Sequence, residues 1–103
     1  MGKLIIVSKN AELELYTIAH YILVEFGIKA SEKFLEKYNK KVFLISSFPQ
    51  RYPFYDEENE IRKAVLNKYC ILFYKEFEEN IRIISVFDTR QDPDKIPDHK
   101  LYP

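Results

Sequence analysis

Residues 60–93 read EIRKAVLNKYCILFYKEFEENIRIISVFDTRQDP. Three runs rich in β-branched and aromatic residues lie in this stretch: 60–66, 69–76 and 81–88. The turns between them, Asn67-Lys68 and 77–80, are short enough to predict antiparallel neighbours. Alternation puts Ile61, Lys63 and Val65 on one face and Arg62, Ala64 and Leu66 on the other. Tyr69, Ile71, Phe73 and Lys75 likewise oppose Cys70, Leu72, Tyr74 and Glu76. Ile81, Ile83, Ser85 and Phe87 oppose Arg82, Ile84, Val86 and Asp88. Neither face is cleanly polar. One is expected under helices, the other half-apolar and open to a partner, a loop or a substrate.

Upstream, residues 47–59 (SFPQRYPFYDEEN) form a long loop in which Pro49 and Pro53 forbid helix. Its four aromatics mark a packed cover or a binding element. Two helices precede it. In residues 10–26, Ala11, Leu15, Ile18, Ala19, Ile22 and Phe26 recur at helical spacing, with Asn10 as the expected N-cap and Gly27 as the stop. In residues 29–46, Phe34, Tyr38, Val42 and Ile45 form the apolar stripe, and the lysines and glutamates form a solvated face. A one-residue break predicts a tight helical hairpin. Residues 3–8 (KLIIVS) read as a buried strand. The order β-α-α-β-β-β predicts a small α+β domain, with the hairpin packed on a mainly antiparallel twisted sheet. The single domain spans 1–103, with residues 89–103 as a polar, proline-containing tail.

Sixteen basic and sixteen acidic residues give zero net charge, which counts against a large nucleic-acid footprint. The single cysteine, Cys70, excludes an intrachain disulfide. No Cys/His spacing suits zinc, and no cofactor is expected. No run approaches the ~20 apolar residues of a membrane span, and the N-terminal apolar run is too short for a signal peptide. The expected setting is the cytoplasm, with no membrane contact.

The chain resembles the RelE/ParE superfamily, the toxins of type II toxin–antitoxin modules of the plasmid-stabilisation kind. The residues that carry the resemblance include AELELYTIAHYI after the first strand, Phe26-Gly27, Ala30 and Phe34, and the Phe48-Pro49/Tyr52-Pro53 loop. The more specific pieces are Ile61-Arg62-Lys63, Tyr69–Tyr74, Ile81–Val86 and Asp88–Pro93. The resemblance implies a cognate antitoxin as partner. It also implies one of two activities: inhibition of DNA gyrase by binding (the ParE-like branch) or messenger-RNA cleavage on the ribosome (the RelE-like branch). A third outcome is a non-toxic relative that still binds its antitoxin.

Metal-independent RNA cleavage needs a base, cations on the reacting phosphate and an acid. Carried over from the RelE-like pattern, Lys63 takes one lysine position and Ile61 replaces the other. Arg90 falls near the late arginine, and Cys70 replaces the central one. The terminal acid position falls near Ile96, with His99 and Tyr102 beyond. The ribonuclease candidates are therefore Lys63, Arg90 and Arg62, an incomplete set, and the chain stands closer to the ParE-like branch. Each has a plainer reading. Arg62 and Arg82 pair with Glu60 or Glu76 at the surface, and Arg90 anchors the tail or an antitoxin carboxylate. His20 is a surface or boundary residue, and Cys70 is a buried small hydrophobe.

Overall fold

The computed structural model describes residues 2–91. The elements are β1 (Leu4–Val7), α1 (Lys9–Phe26), α2 (Ile28–Ser47), β2 (Phe54–Asp56), β3 (Ile61–Asn67), β4 (Cys70–Glu76) and β5 (Asn80–Asp88). They form a five-stranded sheet in the order β1-β5-β4-β3-β2. The expected α+β class and β-α-α-β-β-β order are present. The additional strand, β2, lies inside the stretch expected to be loop. It is three residues long, too short for a periodic signal, and pairs antiparallel with β3 through Phe54 and Arg62.

β1 runs parallel to β5, and the remaining pairs are antiparallel. A parallel pair needs a long crossover, which the two helices supply. Ser8, not Asn10, caps α1. Its amide donates to Ile83 O at 3.0 Å and its hydroxyl to Ile84 O at 3.0 Å, while Oγ accepts from Ala11 N at 3.0 Å. The sheet holds Ser8 where the helix must begin, so tertiary contact overrides the equally suitable Asn10.

Gly27 ends α1 and begins α2. Its amide donates to Leu23 O at 3.0 Å, and its carbonyl accepts from Ser31 N at 3.2 Å. At φ 94° and ψ 172° it occupies backbone space open essentially to glycine alone. The buried Ser31 hydroxyl donates to Ala19 O at 2.9 Å, tying the two helices together.

The main core lies between the helices and the sheet. Ala11, Leu15 and Ile18 of α1 and Phe34, Tyr38 and Ile45 of α2 meet Ala64, Cys70, Leu72, Tyr74, Ile81, Ile83 and Val86. A second cluster, on the other face, joins Ile61, Phe73, Ile84 and Phe87 at 1–3% exposure, with Tyr55 edge-on to Phe73 at 4.8 Å. This face was expected to be half-apolar and open, yet its four central apolar residues are buried. The alternation in β5 also differs from expectation. Phe73 opposes Ser85 but Tyr74 opposes Ile83, so Ile84 is an extra, bulged residue. Ile83 and Val86 therefore face the helices together, while Ile84 and Phe87 face away.

Candidate functional site

β5 runs on past the end of β1, whose pairing stops at Val7 opposite Ile83, so the β5 amides beyond that point need another partner. Glu14 of α1 supplies it: Oε1 accepts from Val86 N at 3.1 Å and from the Ser85 hydroxyl at 2.7 Å. Asn10 Nδ2 donates to the same oxygen at 3.0 Å. Burial pushes the Glu14 carboxyl above its usual value, against the opposing pull of these donors. Glu14 thus forms part of the wall of a groove between α1 and the C-terminal end of β5.

Two adjoining hollows of about 420 and 230 Å³ make up this groove, and Ile18, Tyr21 and Arg90 line both. A turn after β5 sets the position of Arg90. Thr89 N donates to Tyr69 O at 3.0 Å, the Thr89 hydroxyl to Lys68 O at 2.8 Å, and Gln91 N to Asp88 O at 3.0 Å. The guanidinium makes a forked pair with Asp88, Nε to Oδ1 at 3.0 Å and Nη2 to Oδ2 at 2.8 Å. It also lies over two rings, 4.8 Å from the Tyr21 centroid and 5.2 Å from that of Tyr69. The forked bond from Arg90 holds the Asp88 carboxyl below its usual value. A long flexible side chain is thereby oriented in advance while remaining 43% exposed to a ligand. The rim is apolar and exposed: Leu13 by 66%, Tyr21 by 42%, Phe26 by 69% and Tyr69 by 47%. A fixed guanidinium among exposed aromatic residues is the composition of an interface anchor.

Cys70 lines the inner end of the groove but is 1% exposed, and burial pushes its thiol up to about 12. A thiol held neutral in this way is no nucleophile.

The candidate cations do not converge. Arg62 faces the helices. Its Nη1 donates to Tyr52 O at 2.6 Å and its guanidinium stacks on Phe54 at 3.9 Å. It anchors the loop before β2; the expected pairing with Glu60 or Glu76 is absent, because Glu76 is taken by Lys3 at 2.8 Å. Lys63 lies on the opposite face, across from Phe73, and its side chain has no ion pair among the described residues. Arg62 opposes Tyr74 while Asp88 opposes Cys70, four residues away along β4, or about 13 Å at the rise of a strand. Arg90 and Arg62 therefore occupy opposite ends of one face. His20 is exposed on α1, as expected. Ile96, His99, Tyr102 and most of the 89–103 tail lie outside the described residues.

Sequence reasoning missed the roles of Glu14, Tyr21 and Tyr69. Tyr21 sits at the edge of the α1 apolar pattern and Tyr69 in a turn, but nothing local signals that both reach Arg90. Among the described residues no cluster of His, Cys, Asp or Glu is able to hold a metal ion, and no helix is long and apolar enough to cross a membrane.

The comparison with curated proteins returned no match. Among solved structures, the chain is similar to one described as "Chromosomal ParDE TA system from P. aeruginosa". The TM-score is 0.72 at 15% identity, covering 84% of this chain and 95% of that one, a likeness of fold. The sequence profile of the family described as "ParE toxin of type II toxin-antitoxin system, parDE" matches residues 5–93. With that match reaching from within β1 to beyond the end of β5, the chain belongs to the ParE toxin family of type II toxin–antitoxin systems.

Proposed function

We propose that this toxin arrests growth by binding DNA gyrase in the cytoplasm, and that a cognate antitoxin neutralises it by covering the groove around Arg90. The observation that carries this reading is the separation of Lys63, Arg62 and Arg90. Cleaving RNA without a metal requires a base and cations within reach of one phosphate. These three groups lie on two faces and at two ends of the sheet. Binding makes no such demand, and the groove has an apolar rim around an oriented cation.

The test is a supercoiling assay with purified gyrase. The chain is expected to inhibit supercoiling, and Arg90→Ala to raise the concentration required about tenfold, the scale of one lost charged anchor, with the circular dichroism spectrum unchanged. Transcripts are expected to stay intact in cells that express it. Ribosome-dependent transcript cleavage that disappears in Lys63→Ala would overturn the reading in favour of an endoribonuclease. Unaffected growth without the antitoxin would mark a non-toxic relative.

A further inference from the structure

On the sheet face turned away from the helices, Lys75 of β4 stands directly opposite Arg82 of β5. Like charges at opposed positions destabilise a strand pair. No carboxylate among the described residues pairs with either: the ion pairs there are Lys3–Glu76 and Arg90–Asp88. Both cations instead gather on one ring, that of Phe77, with Lys75 Nζ 5.7 Å and Arg82 Cζ 5.3 Å from its centroid. Arg82 Nε is buried without an acceptor, and two residues earlier on the same strand Asn80 Oδ1 is buried without a donor. Buried polar groups are otherwise nearly always paired, because leaving one unpaired forfeits its hydration.

The row continues onto β1. Ile6 opposes Arg82 and Leu4 opposes Asn80. Ile5 and Val7 pack into the main core, so Leu4 and Ile6 point the other way, exposed by 67% and 37%. Among the described residues, two cations without an ion pair, an orphan donor, an orphan acceptor and two exposed aliphatic side chains therefore adjoin each other.

We propose that this row seats a protein segment that presents an acidic side chain beside an apolar one. The carboxylate closes on the Arg82 fork and on Lys75, a backbone N–H of the same segment supplies Asn80 Oδ1, and the apolar neighbour covers Leu4 and Ile6. A nucleic-acid phosphate would satisfy the two cations but brings no donor for Asn80 at the phosphate and nothing to cover Leu4 and Ile6. The Phe77 ring must swing off the guanidinium for the fork to close. The seat is separate from the Arg90 groove and stands whether or not gyrase is the target.

The experiment follows the Arg82 Nε–H resonance in nitrogen-15 spectra of the full chain. The probes are an octapeptide with one glutamate flanked by leucines, its glutamine counterpart, and a ten-residue oligothymidylate. The glutamate peptide is expected to shift the resonance saturably, and the glutamine peptide to bind about tenfold more weakly, the loss of one charge-assisted contact. Phe77→Ala is expected to tighten binding. Lys75→Glu is expected to abolish the response while raising the melting temperature, because it replaces a repulsion with a cross-strand ion pair. Equal response to both peptides, tighter binding of the oligonucleotide, or a Lys75→Glu protein that melts no higher than the parent would each overturn the proposal.

Discussion

Glu14 illustrates how much one side chain can carry here. Its carboxylate terminates three donors and stitches α1 to the β5 bulge. Burial raises its pKa, so its contribution is full below the unfolded value of 4.5 and declines as pH rises through the folded one. At neutral pH the charge is a cost and the acceptor a gain. Glu14→Gln keeps an acceptor oxygen without the charge. It is expected to be at least as stable as the parent at pH 7, with the advantage vanishing in acid below about pH 4, where the carboxyl is neutral too. Glu14→Ala leaves Val86 N–H and the Ser85 hydroxyl, 1% exposed, unpaired. It is expected to lose about 1–3 kcal/mol. Urea unfolding of both variants at pH 4 and pH 7 checks this; a Gln variant weaker than the Ala variant at pH 7 would contradict the account. Among the sequence-derived candidates, Arg90 lines the groove between the Tyr21 and Tyr69 rings, while Arg62 turns out to secure the 49–54 loop.

At the scale of elements, the helical hairpin depends on a single residue. Gly27 serves as the C-cap of α1 and the N-cap of α2, with no connecting loop between them. A Cβ added there would meet nothing within 4 Å, so crowding is not the constraint. The constraint is backbone torsion, since φ 94° with ψ 172° is closed to L-residues with side chains. Gly27→Ala is therefore expected to cost about 1–3 kcal/mol, seen as a lower thermal midpoint without a change in the spectrum of the folded state. An unchanged midpoint would mean that the hairpin can re-form with a different junction. The hairpin, the order of elements and the helix stripes were legible in the sequence, because each follows from periodicity within one segment. The β5 bulge and the short β2 were not, because both are defined by a partner strand.

For the whole molecule, alkaline pH is the natural stress. Burial raises the pKa of Cys70 from 9.0 to about 12, and also raises those of Tyr38 and Tyr74, above a reference value of 10.0 for the tyrosines. For acids held neutral by the fold, stability is fully present below the unfolded pKa and is lost as pH rises through the folded one. The urea midpoint is expected to stay level from pH 7 to about 8.5 and to fall steeply above pH 9. Cys70→Ala should delay the start of that fall toward pH 10, where the tyrosines begin to titrate in the unfolded chain. A midpoint unchanged up to pH 11 would refute this view of the core. The two cores sit on opposite faces of one sheet, so the stress reaches first the core beneath the helices, where all three groups lie.

The sequence by itself determined the α+β class, the helical hairpin on a mainly antiparallel sheet, and the resemblance that led to the toxin family. Those features rest on local periodicity, turn chemistry and the order of short segments, all properties of neighbours along the chain. Tertiary structure alone decided where each candidate cation lies. Arg62, Lys63 and Arg90 are similar as letters, but strand register puts Lys63 on one face and the two arginines at opposite ends of the other. It also decided that Arg90 lies between rings contributed by a helix and a turn, Tyr21 and Tyr69. A side chain's electrostatic surroundings come from residues distant in sequence, and only the folded sheet specifies which of them meet.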